Sequence, residues 1–184
     1  TVSQKKSLIC VGLDPHPDQM QVDDLYEFCE SIVTEVSPYV SAIKPNLAFF
    51  EAFGIEGLKT LEKVVKFVRE INPELILIGD AKRGDISSSM ERYAKSIFEQ
   101  WDFDAATVNP FAGRDSIDPF LQYEDKGVFV WCKSSNPDGY QFQNIGDTTR
   151  NGNGKVYEMI AREANDWNFN KNVGLVVGAT YQNE

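Results

Sequence analysis

The stretch LILIGDAKRGDI (residues 75–86) decides the fold, because four aliphatic residues lead directly into a segment of alternating acids and bases. The aliphatic run is typical of a strand that is buried on both faces of a sheet. Its carboxyl end carries charge at Asp80, Lys82, Arg83 and Asp85. Charged side chains at the carboxyl end of a buried strand are typical of binding sites in parallel α/β folds.

Apolar runs of this kind recur along the chain and alternate with segments of helical period. The strand predictions are 7–15, 41–46, 74–82, 105–110, 127–137 and 173–180. The helical stripes are Leu25, Phe28, Ile32 and Val36; Leu58, Leu61, Val65 and Val68; Met90, Tyr93, Ala94, Ile97 and Phe98; and Val156, Met159, Ile160, Glu163 and Trp167, with a weaker helix at 115–123. The pattern predicts a βα unit repeated about six times.

Strands that alternate with helices form a parallel sheet through right-handed crossovers. An open doubly wound sheet would carry a Gly-rich turn after its first strand, and GLDPHPD (12–18) is not GxGxxG. We therefore predict a TIM (β/α)8 barrel, which normally takes eight strands and about 250 residues. Residues 1–184 are expected to be a single α/β-barrel domain covering about the first six βα units and truncated at the C-terminus.

The composition limits which classes of partner the protein can have. The 184 residues are 42% hydrophobic and carry a formal net charge of -10, which disfavours nucleic acid and membrane surfaces as partners. There is no apolar stretch of the roughly 18 residues that a membrane helix needs. The three cysteines are an odd number without metal-site spacing, so neither a disulfide framework nor a zinc site is indicated, and we expect a reduced, cytoplasmic protein.

Strand alternation predicts how the charged residues gather. Residues two apart point to the same side, so Asp80 shares a face with Lys82, and Lys44 shares one with Asn46. Gly84 is expected to let the chain turn, and Asp85 to cap the next helix. An ion-pair network that only closes the barrel mouth remains open as an alternative interpretation.

Five motifs in order carry a resemblance to a known family: GLDPHPD (12–18), IKPNLAFFEAFG (43–54), DAKRGDI (80–86), TVNPF (107–111) and KSSNPDG (133–139). DAKRGDI resembles the DxKxxDI signature of the orotidine 5'-phosphate decarboxylases. The resemblance implies a TIM-barrel homodimer that decarboxylates orotidine 5'-phosphate to uridine 5'-phosphate in pyrimidine synthesis without a cofactor. It further implies a catalytic tetrad of Lys44, Asp80, Lys82 and Asp85, with Lys82 as the proton donor and Asp85 reaching into the neighbouring subunit's site.

The same resemblance assigns substrate-binding residues. Asp14 and Asn46 match positions at the ribose and the adjoining network, and Ser135 matches the residue that reads the pyrimidine edge. Ser89 stands where the family usually has threonine, at the dimer interface. The family's phosphate-binding loop and arginine find no match in residues 1–184, so no residue is assigned that role.

Other features are expected to be structural or are left undecided. His16 is predicted to be a loop residue, and Arg83 to point away from Lys82. The tryptophans Trp101, Trp131 and Trp167 are predicted to be core, and residues 146–155 to form an exposed loop. Asn109 is equally compatible with a turn and with a site.

Rival functions come from three classes. A magnesium-dependent sugar-acid phosphate decarboxylase of the same barrel type would want an acidic ligand where this chain has Lys44. A Schiff-base aldolase needs a neutral lysine, which flanking aspartates disfavour. A non-catalytic nucleotide-binding barrel fragment would bind a uridine-type nucleotide without turnover.

Overall fold

The computed structural model describes residues 6–147 and 154–181, along which strands and helices alternate. The strands are β1 (Cys10–Leu13), β2 (Ala42–Pro45), β3 (Ile76–Arg83), β4 (Ala105–Val108), β5 (Gly127–Lys133), β6 (Gly146–Asp147), β7 (Gly154–Lys155) and β8 (Val173–Val177). The helices are α1 (Leu25–Val36), α2 (Leu47–Glu51), α3 (Gly54–Ile71), α4 (Ser87–Lys95), α5 (Asp118–Leu121), α6 (Tyr140–Gln143) and α7 (Val156–Asp166). Each of the six predicted strands is present, so the predicted βα alternation is confirmed.

The main sheet has the strand order β1-β2-β3-β4-β5-β8. β1 pairs with β2, β2 with β3, and β5 with β8, all in parallel. Ile43, Leu77 and Val130 are each 0% exposed on these strands. Burial of this kind is expected of parallel strands covered by helices, and it explains why they read as continuous apolar runs.

The predicted exposed loop at 146–155 is wrong at its two ends. Gly146 pairs with Lys155, and Asp147 with Gly154, in a short antiparallel ladder formed by β6 and β7. Residues 148–153 of that prediction lie outside the described residues. This ladder pairs backbone groups that would be hydrogen-bonded to water in the exposed loop predicted from composition.

Helix α1 shows why the long helices form and how they bury. Its N-cap residue, Asp24, accepts a hydrogen bond from the amide of Glu27 at 2.8 Å. Leu25, Cys29 and Val33 are its buried residues, and α1 packs against α3. The predicted stripe through Phe28, Ile32 and Val36 therefore lies about one residue away from the true centre of the buried face. Burial raises the pKa of the Cys29 thiol to about 12.

The chain divides into two compact units, and the divisions fall inside β3, near the end of α4 and inside β4. Unit 1 comprises residues 1–81 and 95–106, and unit 2 comprises residues 82–94 and 107–184. The two units are described separately below.

Within unit 1, Arg69 on α3 connects the residues that immediately precede β3 and β4. Its guanidinium bonds the Leu75 carbonyl at 3.1 Å and the Asp104 carboxylate at 2.9 Å. Asp104 in turn accepts the Leu77 amide at 2.7 Å. These contacts hold the amino-terminal end of β3, opposite the end where its charged residues lie.

Candidate active site

In unit 1, Lys44 and Asp80 form an ion pair at the carboxyl ends of β2 and β3. The Lys44 Nζ donates to Asp80 Oδ2 at 2.7 Å, and the side chains are 30% and 7% exposed. The pairing follows from the sheet, because Asn46 and Asp80 bridge in parallel just beyond the ladder of β2 and β3. A carboxylate this buried needs a charged partner, and Lys44 supplies one.

Asp14 and Asn46 are also brought together in unit 1. The Asn46 side-chain amide donates to Asp14 Oδ1 at 2.6 Å, while its backbone amide donates to the Leu13 carbonyl at 3.0 Å. Asn46 also caps α2, because its Oδ1 accepts the Ala48 amide at 3.3 Å. The loop after β1 is thus fixed to the end of β2, with a carboxylate and an amide side by side.

Cys10 lies within electrostatic reach of the ion pair, a feature that the sequence did not single out. Partial burial raises the pKa of its thiol, the Lys44 ammonium lowers it, and the Asp80 carboxylate raises it. The thiolate fraction at neutral pH is therefore small, and Cys10 is not equipped to act as a nucleophile.

In unit 2, Lys82 has a left-handed backbone. Its φ is 44°, a conformation that residues other than glycine seldom adopt. Its amide donates to the Thr107 hydroxyl at 2.9 Å. The backbone at Lys82 therefore departs from the extended geometry on which the prediction from strand alternation rested.

Lys82 lines a pocket of about 480 Å³, and so does Ser135. Further lining residues are Trp131, Ser134, Asn136 and Gly178. Two predicted site residues thus meet at one cavity: Lys82 lies near the end of β3, and Ser135 follows β5. Trp131, predicted to be core, lies half-buried in this lining because β5 turns this face away from α7.

The loop that carries Ser135 is held on both sides. Its Ser134 amide donates to Gln143 Oε1 at 3.0 Å, and the Gly178 amide donates to the Lys133 carbonyl at 2.8 Å. A Cβ at Gly178 would lie 2.7 Å from the Ser135 backbone nitrogen, so only glycine permits this approach. The loop has little freedom to leave the pocket.

Lys133 is a buried cation under that loop. Its ammonium lies 4.6 Å from the ring centre of Tyr157 and 4.8 Å from that of Tyr181, and it donates to Asn144 Oδ1. Contact with two aromatic faces compensates part of the cost of removing the charge from water. Sequence analysis treated Lys133 as an ordinary strand residue.

Asp85 and Ser89 lie on the segment that enters α4. Asp85 is exposed, and its Oδ1 accepts the Ile86 amide at 2.7 Å. The Ile86 carbonyl accepts the first helical bond, so Asp85 precedes the N-cap and the predicted capping role is off by one residue. Ser89 is half-buried in the first turn of the helix.

Gly84 lies between the end of β3 and the start of α4, where the chain turns as predicted, but the left-handed residue of this segment is Lys82. A Cβ at Gly84 would lie 2.8 Å from the Asn109 Cβ, so its role is close approach. Asn109 itself caps a 3-10 turn by accepting the Phe111 amide at 3.0 Å. Arg83 places its guanidinium 4.9 Å from the ring centre of Tyr93.

Four smaller observations complete the comparison with the sequence. His16 is an exposed loop residue whose ring lies 5.5 Å from that of Phe49, as predicted for a structural role. Trp167 is buried, whereas Trp101 is half-buried. Among residues 6–147 and 154–181, no three His, Cys, Asp or Glu side chains are grouped so that they could hold a metal ion. In the same part of the chain no helix has the length and apolar character needed to cross a membrane.

The chain is similar to a family of known proteins over nearly its whole length. The family model for "Orotidine 5'-phosphate decarboxylase / HUMPS family" matches residues 7–184. Orotidine 5'-phosphate decarboxylase of Dehalococcoides mccartyi (strain BAV1) is 43% identical over 99% of this chain and 67% of its own length. The protein of the same name from Azoarcus sp. (strain BH72) is 45% identical over 98% of this chain and 67% of its own length. The chain thus spans about two thirds of the length of these relatives.

The comparison with solved structures points to the same family. The OMP decarboxylase of Leishmania donovani superposes with a TM-score of 0.86 at 40% sequence identity, covering 97% of this chain and 69% of its own. This likeness confirms the predicted α/β barrel class, of which the present chain supplies six parallel strands.

Proposed function

The chain belongs to the orotidine 5'-phosphate decarboxylase / HUMPS family, and from this premise we propose that it releases carbon dioxide directly from its substrate, with C6 protonated by Lys82. It is a carboxy-lyase of the decarboxylase branch, acting on orotidine 5'-phosphate in pyrimidine synthesis. The observation that carries the mechanistic proposal is the presence of Lys82 in the same pocket as Ser135.

The chemistry requires a cation at one carbon. When the bond from C6 to the carboxylate breaks, its electron pair stays on C6, and the ring offers that pair no conjugated sink. The Lys82 ammonium stabilises this charge electrostatically and then transfers a proton to C6. The neutral amine regains its proton from water, so the cycle closes without a metal or an organic cofactor.

The remaining charged residues take the roles that the family motif implies. We assign Lys44, Asp80 and Asp85 to the same catalytic group as Lys82. Asp80 faces the substrate carboxylate, and this repulsion disappears as carbon dioxide leaves. The Lys44 to Asp80 contact of 2.7 Å supports part of this group, because it keeps a buried carboxylate compensated and fixed.

Substrate contacts follow the geometry within each unit. Asp14 and Asn46, joined at 2.6 Å, offer a carboxylate and an amide to the ribose hydroxyls. Ser135 offers a hydroxyl to the polar edge of the pyrimidine from the held loop above β5.

Removing metal ions tests this function against its nearest rival. We expect turnover of orotidine 5'-phosphate, followed by the absorbance change of the pyrimidine, to be the same in excess chelator as in added magnesium, because an ammonium does the work of a Lewis acid. Loss of turnover in chelator would favour the magnesium-dependent sugar-acid phosphate decarboxylase. Tight binding of uridine 5'-phosphate without any turnover would favour a non-catalytic module.

We further propose a homodimer in which Asp85 and Ser89 act across the interface. Two large apolar side chains of unit 2 are exposed. Ile86, which follows Asp85 in the sequence, is 68% exposed, and Phe111, in the TVNPF motif, is 93% exposed. Apolar side chains so exposed are typical of surfaces that a partner covers. Serine at position 89 keeps the hydroxyl of the family's usual threonine and loses only a methyl contact.

Mixing two inactive variants tests the shared site. Lys82→Ala and Asp85→Asn homodimers should each be nearly inactive. After subunit exchange we expect about one quarter of the wild-type activity per site, because half of the dimers are mixed and each mixed dimer has one site with both residues intact. If Asp85 serves its own subunit, every site in the mixed dimer is defective and no activity returns.

Two broader proposals accompany these. We infer a cytoplasmic location, because all three cysteines are free thiols and Cys10 is exposed. We also propose that residues 1–184 form one α/β-barrel domain, since two of the three unit boundaries cut strands and the third cuts a helix, whereas domain boundaries usually fall in exposed linkers.

A further inference from the structure

We propose that Thr107 is a positioning residue for Lys82: its hydroxyl holds the Lys82 backbone in the left-handed conformation from which the side chain enters the pocket. Thr107 touches no substrate in this account and acts only through Lys82. The inference rests on the proposed function, because it concerns the residue to which proton transfer is assigned there.

The conformation of Lys82 needs a cause. A left-handed backbone brings Cβ close to the following carbonyl oxygen, so a lysine adopts it only where neighbouring contacts favour it. The φ of 44° occurs at the second-last residue of β3, two residues before Gly84. Such outliers in a binding pocket are often part of how a side chain is oriented.

Thr107 supplies the contact at the required atom. The Thr107 hydroxyl accepts a hydrogen bond from the Lys82 amide at 2.9 Å. Because Thr107 is only 2% exposed, water does not compete with its hydroxyl for that amide. A regular strand neighbour would offer a backbone carbonyl instead. A side-chain hydroxyl can accept a backbone amide where the backbone departs from regular strand geometry.

The two residues that follow Lys82 are held by the same neighbouring segment. The Arg83 carbonyl accepts the Asn109 amide at 2.7 Å. Gly84 lies so close to Asn109 that a Cβ would reach its Cβ at 2.8 Å. Residues 82–84 are therefore fixed against residues 107–109 at three successive points, and Thr107 is the one that reaches Lys82.

The experiment uses three substitutions in the full-length protein that contains residues 1–184. Thr107→Val keeps the shape and removes the acceptor, whereas Thr107→Ser keeps the acceptor. We expect Thr107→Val to lower kcat by about 10- to 100-fold with little change in KM, because a small displacement of a catalytic group costs this much. Thr107→Ser should retain at least about half of the wild-type kcat. Thr34→Val, on the exposed face of α1, is the control and should change neither constant.

A second readout follows the amide itself. Hydrogen exchange at the Lys82 amide should be faster by about tenfold or more in Thr107→Val and near wild-type in Thr107→Ser. If valine prevents folding, Thr107→Ala removes the acceptor without placing a methyl group against the amide. An active enzyme whose kcat and Lys82 exchange are both unchanged in Thr107→Val, or Thr107→Ala, overturns the inference.

Failure of the proposed function gives a different pattern. If the wild-type protein has no decarboxylase activity, the proposed function fails, and the exchange measurement alone decides whether Thr107 holds Lys82. If the wild-type protein is active and Lys82→Ala is inactive, yet Thr107→Val leaves both kcat and the Lys82 exchange unchanged, the function stands and the positioning role is wrong.

Discussion

Lys82→Ala is expected to lower kcat for orotidine 5'-phosphate by about four orders of magnitude, the largest effect of any single substitution in this chain. The change removes both the cation that stabilises the C6 carbanion and the proton that ends its lifetime. KM should change far less, since the phosphate and ribose supply binding energy that does not depend on Lys82. Steady-state kinetics followed by pyrimidine absorbance measure both constants.

The fold should survive this substitution, which makes the kinetic result interpretable. Lysine and alanine meet a similar backbone cost at a φ of 44°, because each carries a Cβ. Lys66→Ala is a matched control: Lys66 is a 67% exposed lysine on α3 whose ammonium contacts Glu62 at 2.6 Å. It should leave kcat unchanged. Retention of more than about one tenth of the wild-type kcat by Lys82→Ala would remove Lys82 from the role of proton donor.

The sequence predicted this fold well because its signal is repeated. Runs such as the one before Gly79 are apolar on both faces, and only a covered parallel strand uses such a run. Helix α1 shows the limit of the method. Its period predicted a helix, but Cys29 is fully buried where Phe28 was expected, because sequence period fixes a helical face only to within about one residue.

The site was predictable in its members more than in its geometry. The order of strands brings Lys44 to Asp80 and Asn46 to Asp14, as alternation at parallel strand ends implies. Lys82 departs from alternation because its amide finds a side-chain acceptor on the next strand, a long-range contact that no local pattern encodes. A threonine in the otherwise apolar AATV (105–108) was the available signal, since a hydroxyl buried in a strand needs a partner.

The Lys44 to Asp80 pair has a cost that stability alone does not explain. A carboxylate that is 7% exposed has lost most of its hydration, and attraction to one ammonium seldom exceeds that loss by much. Buried ion pairs are often no more stabilising than apolar side chains of the same size. The pair is therefore more informative about function than about folding, and replacing Asp80 separates the two.

Asp80→Asn is expected to lower kcat by about 10²- to 10³-fold, because it removes a ground-state repulsion that is relieved in the transition state while keeping the size of the side chain. It should also lower KM, since an amide no longer repels the substrate carboxylate in the ground state. A fall in both constants is the signature of lost ground-state repulsion, whereas a fall in kcat alone would mean that Asp80 only orients the lysines.

Urea unfolding of Asp80→Asn should show a change of about 3 kcal/mol or less in the free energy of unfolding, because Lys44 remains 30% exposed and can reach water. Asp118→Asn, which breaks an exposed contact to Arg114 at 3.2 Å, is the control and should alter neither constant. An unchanged kcat in Asp80→Asn would contradict the assignment of Asp80 to the catalytic group, whatever its effect on stability.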